Sequence, residues 1–285
     1  MASAINRPFL AVAIAVLCCL SGTAKAEALR NFGSPAERTA YILLASGDNS
    51  SASEASYLAP RPAARTKDRG ASSLGAFGSV AISARRLPAA RNWLQILAED
   101  QSQLFTDDCK ATGLKGCDQP LTTTLRKARS ASMGESPLVQ LRMLNAAVNN
   151  GMKYGSDASV WGVPDHWSTP VEMVRRGRGD CEDFAIMKYW MLRSVGFSAQ
   201  DLQLVVLRDT KRGLYHAVLA VHVGGKRYVL DNLTASVAVD DRFTSYLPIM
   251  SFVGKSSYLH GFETKRSDIA QMPTNLAGIA PGSGD

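Results

Sequence analysis

Arg178-Gly179-Asp180-Cys181-Glu182-Asp183-Phe184-Ala185 sets one thiol at a glycine-broken entry to an apolar run, Phe184 to Leu192 (FAIMKYWML). The run predicts a buried helix with Cys181 at its start. A thiol there faces the positive end of the helix dipole and backbone N–H groups without partners, a setting that stabilises negative charge. The thiolate is the nucleophilic form of cysteine, so this is where a catalytic cysteine gains reactivity. The alternative is a small apolar cysteine packed in a core. The octapeptide alone leaves both readings open.

The residues downstream favour the first. Leu204-Val205-Val206-Leu207 predicts one strand, Tyr215 to Val223 (YHAVLAVHV) a second, and Arg227 to Leu233 (RYVLDNL) a third. Gly224-Gly225 between the last two is a strong two-residue hairpin signal. With Val223 opposite Lys226, His216 and Asp231 become diagonal neighbours on one sheet face, within imidazole–carboxylate reach. A cysteine nucleophile needs such a pair: His216 to take its proton and Asp231 to hold the tautomer. Their convergence on Cys181 is an expectation, since spacing cannot show it.

These blocks, GDCEDFAIMKY, then YHAVLAV, then YVLDNL, resemble the bacterial transglutaminase-like cysteine peptidases. The resemblance extends to Tyr154, Asp157, Trp161-Gly162, Asp165, Trp167-Ser168-Thr169-Pro170 and Glu172. It takes in Ala76-Phe77-Gly78-Ser79 and Ser251-Phe252, and spans about Gly75 to His260. It implies an α+β, papain-like or transglutaminase-like fold, with the cysteine at a helix N-terminus packed on an antiparallel sheet. It implies a periplasmic cysteine endopeptidase in which Cys181, His216 and Asp231 form the triad. Its substrate would be a protein, such as the linker of a surface adhesin, and its regulatory partner a protein of the inner membrane. Other acyl transfer on the same triad (amidase or transglutaminase chemistry) stays open, as does a non-catalytic binding module that keeps the fold.

Asp180, Glu182 and Asp183 crowd three carboxylates around the thiol. Oxygen-rich clusters suit Ca²⁺, and the resemblance implies a calcium site here. Salt bridges to Arg175, Arg176 or Arg178 are the other reading. Zinc is not expected, because His166, His222 and His260 lack ligand spacing with spare cysteines. His222 reads as a surface residue of an edge strand.

Met1 to Ala26 has the marks of a secretion signal: Arg7, the apolar run Phe9 to Leu20, and Ala24-Lys25-Ala26 before a cleavage site. The apolar run is too short for an ordinary membrane span, and no later segment qualifies. The mature product is therefore expected in the periplasm, or secreted. Without Arg7 and Lys25 the 32 basic residues fall to 30 against 25 acidic, a net +5. The cations are scattered, so nothing points to nucleic acid. Of the five cysteines, Cys18 and Cys19 fall in the signal; Cys109 and Cys117 are placed to close a small disulfide loop in an oxidising compartment, leaving Cys181 as the odd thiol.

Residues 27–74 read as a flexible Ala/Ser/Arg/Gly-rich linker, 75–264 as the catalytic domain, and 265–285 as a disordered tail. Within the domain, Ala89 to Phe105 and Leu138 to Met152 predict amphipathic helices. Tyr154 to Pro170 predicts a loop against the cleft. Trp161 and Trp167 there either line a substrate groove or pack on the core. Thr169-Pro170-x-Glu172 predicts a helix start.

Overall fold

Two glycines at positive φ, Gly224 (57°) and Gly225 (79°), close the hairpin that organises the sheet. The structure, a computed structural model, describes residues 75–262 and 276–282. The expected signal sequence and the linker lie outside the described residues. Val223 opposes Lys226 as expected, and the ladder runs through His222↔Arg227 to Leu219↔Leu230. Strand β5 is Leu214–Val223 and β6 is Lys226–Leu230, which stops one residue short of Asp231. Five further strands complete the sheet: β1 (Val80–Ser83), β4 (Leu202–Asp209), β7 (Ala238–Val239), β8 (Tyr246–Val253) and β9 (Ser256–Gly261). Their order is β1-β9-β8-β4-β5-β6-β7, and every pairing is antiparallel.

Because β5 lies between β4 and β6, His222 is not on an edge strand, contrary to its sequence reading; it is half-buried opposite Arg227. Successive side chains of a strand face opposite ways. Leu204, Val206, Leu219 and Val221 therefore join the main helical core. Val205, Leu207, Val218 and Ala220 fill a second core with Phe77 and Tyr246. Apolar runs rather than strict alternation are what a sheet covered on both faces requires.

Among the described residues the helices lie between β1 and β4 in sequence and cover the sheet. They are α1 (Ala90–Ile96), α2 (Pro120–Ser132), α3 (Pro137–Gly151), the single turn α4 (Asp157–Val160), α5 (Pro170–Arg176) and α6 (Cys181–Ser194). The expected helix from Ala89 to Phe105 breaks after Ile96, and Ser102–Phe105 forms a separate 3₁₀ turn. Asp100 accepts from the Ser102 N–H at 2.9 Å, a local bond that competes with helix continuation. Helix α5 starts as its sequence predicts: Thr169 and Glu172 form a reciprocal capping box, with Pro170 in the first turn. A disulfide joins Cys109 to Cys117.

Helix α6 packs on β5, on β4 and, across its other side, on α3. Each residue from Cys181 to Leu192 is buried, so the helix is clamped all round. Burial of side chains such as Ile186, Met187 and Leu192 contributes roughly 1.5–3 kcal/mol each, and this fixes the position of the thiol at its end. Among the described residues no helix is long and apolar enough to cross a membrane.

Candidate active site

The approach to the thiol is built from backbone. Lys153–Tyr154 (β2) and Arg178–Gly179 (β3) form a two-residue parallel ladder that sets Tyr154 beside Gly179. A Cβ on Gly179 would collide with the Asp183 side chain, which explains glycine just ahead of α6. Asp183 accepts from Ser168 twice, from its N–H at 2.8 Å and its hydroxyl at 3.0 Å. These bonds tie the first turn of α6 to the loop that leads into α5.

Cys181 is the free cysteine of the described chain and is buried, 2% exposed. It shares a small cavity with Tyr154, Arg212, Tyr215, His216, Asn232 and Leu233. His216 donates from Nε2 to Asp231 Oδ1 at 2.9 Å, and both side chains are buried. Asp231 also accepts from the Tyr246 hydroxyl on Oδ2 at 2.6 Å and from the Leu233 N–H at 3.0 Å. Nε2 is thereby committed and Nδ1 is left for Cys181, whose thiol donates to Glu182 Oε2 at 3.3 Å. Burial alone would depress the His216 imidazolium; the Asp231 bond and the neighbouring Cys181 sulfur override it and hold the ring at about 9. Burial likewise opposes ionisation of Asp231, but the bonds from His216, Leu233 and Tyr246 bring it down to about 2. The three residues expected from sequence are thus brought to one place. Lys188 lies behind them, fully buried and pushed down to about 7 by burial, with its ammonium 5.8 Å over the Phe184 ring.

The acids divide. Asp180 and Glu182 meet Asp157, a residue outside the expected metal set, with carboxylate oxygens within 4.8 Å of one another. Asp183, expected in the cluster, is instead engaged by Ser168. Glu182 and Asp183 are adjacent in a helix, about 100° apart around its axis, so both cannot face one point. Asp157 Oδ1, Asp180 Oδ1 and Glu182 Oε1 are buried and have no hydrogen-bond partner. Burial pushes Asp157 up to about 6 and Asp180 up to about 7, and raises Glu182 well above the usual carboxylate range. Arg175, Arg176 and Arg178 form no ion pair with these acids among the described residues; Arg176 stacks over Trp161 at 4.8 Å. An all-oxygen donor set with one buried, unpartnered oxygen on each of three carboxylates suits a hard divalent cation.

The tryptophans follow the packing alternative. Trp167 is buried edge-on against Phe252, with ring centroids 5.9 Å apart, and Trp161 stacks on His166 at 4.3 Å. His260 bridges Ser79 and Ser251 at 2.7 Å each and is buried, which pushes it down to about 4. The Ala76–Ser79 and Ser251-Phe252 segments therefore serve the sheet rather than the cleft. Sequence reasoning missed Tyr246 as the support of Asp231, and nothing in its surroundings signals that role.

A free thiol at the start of a helix, packed on an antiparallel sheet beside an imidazole–carboxylate pair, is the layout of a transglutaminase-like cysteine peptidase. The chain belongs to the bacterial transglutaminase-like cysteine proteinases, whose family profile matches residues 107–253. No curated protein matches it. Among solved structures it is similar to calcium-bound LapG of Legionella pneumophila. That match has 22% identity, covers 59% of this chain and 86% of that one, and has a TM-score of 0.46. EGTA-treated LapG of the same organism gives 22% identity, 65% and 90% coverage, and a TM-score of 0.45.

Proposed function

We propose that the protein is an exported, periplasmic cysteine endopeptidase that acts through Cys181, His216 and Asp231. The observation that carries this reading is the commitment of His216 Nε2 to Asp231, which leaves Nδ1 as the base for the sulfur in the same cavity. Cys181 Sγ attacks the scissile carbonyl and its proton passes to His216 Nδ1. His216 returns that proton to the leaving amine, and water then hydrolyses the thioester. The Cys181 N–H, at the open end of α6, is an oxyanion donor. Asp231 orients the ring and Tyr246 orients Asp231.

Asp157, Asp180 and Glu182 are the residues that would hold Ca²⁺. Bound there, the ion would neutralise the carboxylates on either side of Cys181 and hold the start of α6 in place. The Cys109–Cys117 disulfide supports an oxidising compartment. A surface or envelope protein, such as an adhesin linker, is the proposed substrate, with an inner-membrane protein as regulator.

The test is Cys181→Ala in the mature chain, incubated with envelope proteins of the parent cell. Loss of every cleavage product with the melting temperature held within a few degrees is expected. Cleavage by the alanine variant would overturn the assignment. Replacing water by an added amine as acceptor separates hydrolysis from transfer.

A further inference from the structure

The tail expected to be disordered contains a placed segment, Leu276 to Gly282, and it borders the cavity of Cys181. Ile279 is 7% exposed within the main core, and Leu276 packs against the same core. Beyond Ala280 and the buried Pro281, the Gly282 N–H donates to the Tyr215 carbonyl at 3.1 Å. Tyr215 immediately precedes the base His216, and Gly282 lines the same cavity as Cys181 and His216. With the segment seated, the space beside the sulfur is about 20 Å³. That volume holds about one water and no substrate residue.

Gly282 is fitted closely. A Cβ there would lie 3.3 Å from Asp180 Oδ2 and 3.4 Å from the Tyr154 hydroxyl, and φ is +82°. A main-chain N–H given to the carbonyl next to the proposed base anchors this turn at the mouth of the cleft. We infer that the cleft receives a peptide that places glycine, in a turn, beside the thiol, and that Ala280-Pro281-Gly282 acts as that peptide in cis, closing the site until it is displaced. Tyr154 and Asp180 set the limit on side-chain size at this position. The inference rests on the peptidase reading only in taking the Cys181 cleft as the substrate track.

Alkylation of Cys181 by iodoacetamide, followed by mass spectrometry on the mature full-length protein, tests it without requiring turnover. Two variants unseat the segment: Gly282→Val at its tightest contact and Ile279→Asp at its apolar anchor. Both are expected to alkylate at least tenfold faster than the wild type. The free peptide of residues 276–285, added in trans, should slow the variants back, and the same peptide with valine in place of Gly282 should not. Equal alkylation rates in wild type and Gly282→Val would overturn the inference, as would absence of protection by the native peptide. Protection by the valine peptide would overturn the glycine requirement. If Ile279→Asp melts the domain, Gly282→Val carries the test by itself. A protein that alkylates as expected but cleaves nothing refutes the peptidase reading and leaves the closure by the segment standing.

Discussion

Asp231→Asn is nearly isosteric, yet it should separate the two ends of the pH range. In the folded protein His216 rises from 6.5 to about 9, and Asp231 falls from 3.8 to about 2. At about 1.4 kcal/mol per tenfold change, these correspond to about 3 and about 2 kcal/mol. The His216 figure also contains the Cys181 sulfur, so about 2 kcal/mol is assigned to the pair. A group whose pKa is raised on folding stabilises fully below its unfolded value, and the contribution disappears as pH climbs through the folded one. For His216 that means full strength below pH 6.5 and loss through about 9. Asp231, depressed on folding, contributes above 3.8 and loses its contribution as pH falls through about 2. The wild-type advantage over Asp231→Asn should therefore be largest between about pH 4 and 6.5 and shrink by about 2 kcal/mol by pH 10. Urea unfolding of both proteins at pH 5.5, 7.5 and 10 measures it. The acid cluster titrates in both and cancels in the difference. Lys188, which also senses Asp231, acts in the same sense. Activity should fall by about 10²–10⁴-fold, the scale of a lost triad carboxylate. A stability difference that stays flat from pH 5.5 to 10 would refute the ion-pair account.

Removal of a cation should matter only where the acids are ionised. With Asp157 at about 6 and Asp180 at about 7, protons satisfy the cluster at pH 5. EGTA should then lower the melting temperature by about 5–10 °C at pH 8 and hardly at all at pH 5; equal shifts at both would count against the site. Tyr246→Phe leaves a buried Asp231 oxygen short of a partner, at a cost of about 1–3 kcal/mol. It should lower kcat/KM about tenfold, and an unchanged rate constant would remove Tyr246 from the orienting chain.

The proposed triad could be assembled from sequence because its two hard-to-place members sit on one hairpin. Gly224-Gly225 fixes the register, and period-two geometry carries His216 to Asp231. Cys181 was readable from local sequence, since glycine, acid, thiol and an apolar run describe a helix start. Tyr246 was not, because it reaches Asp231 from β8, separated from β5 by β4, and no short-range pattern encodes a contact across the sheet. The meeting of Asp157 with Asp180 and Glu182 was not legible for the same reason: that cluster closes through the loop around α4, whereas Asp183 is adjacent only in sequence. Helix α2 carried little apolar signal in PLTTTLRKARSAS, where Leu121 and Leu125 alone supply its buried apolar side chains. The seated part of the tail is rich in Gly and Pro, a composition that reads as disorder unless a cleft exists to receive it.

The burial of α6 on all sides divides the molecule between what can change and what cannot. Every residue from Cys181 to Leu192 contacts interior, so a substitution along this helix would move the proposed nucleophile before it altered which peptide is accepted. Variation in what the enzyme cuts is therefore left to the rim: Tyr154, Arg212, Leu233 and the segment around Gly282. Retargeting the protein to a new sequence should begin with libraries at those four places, with the helix kept as found.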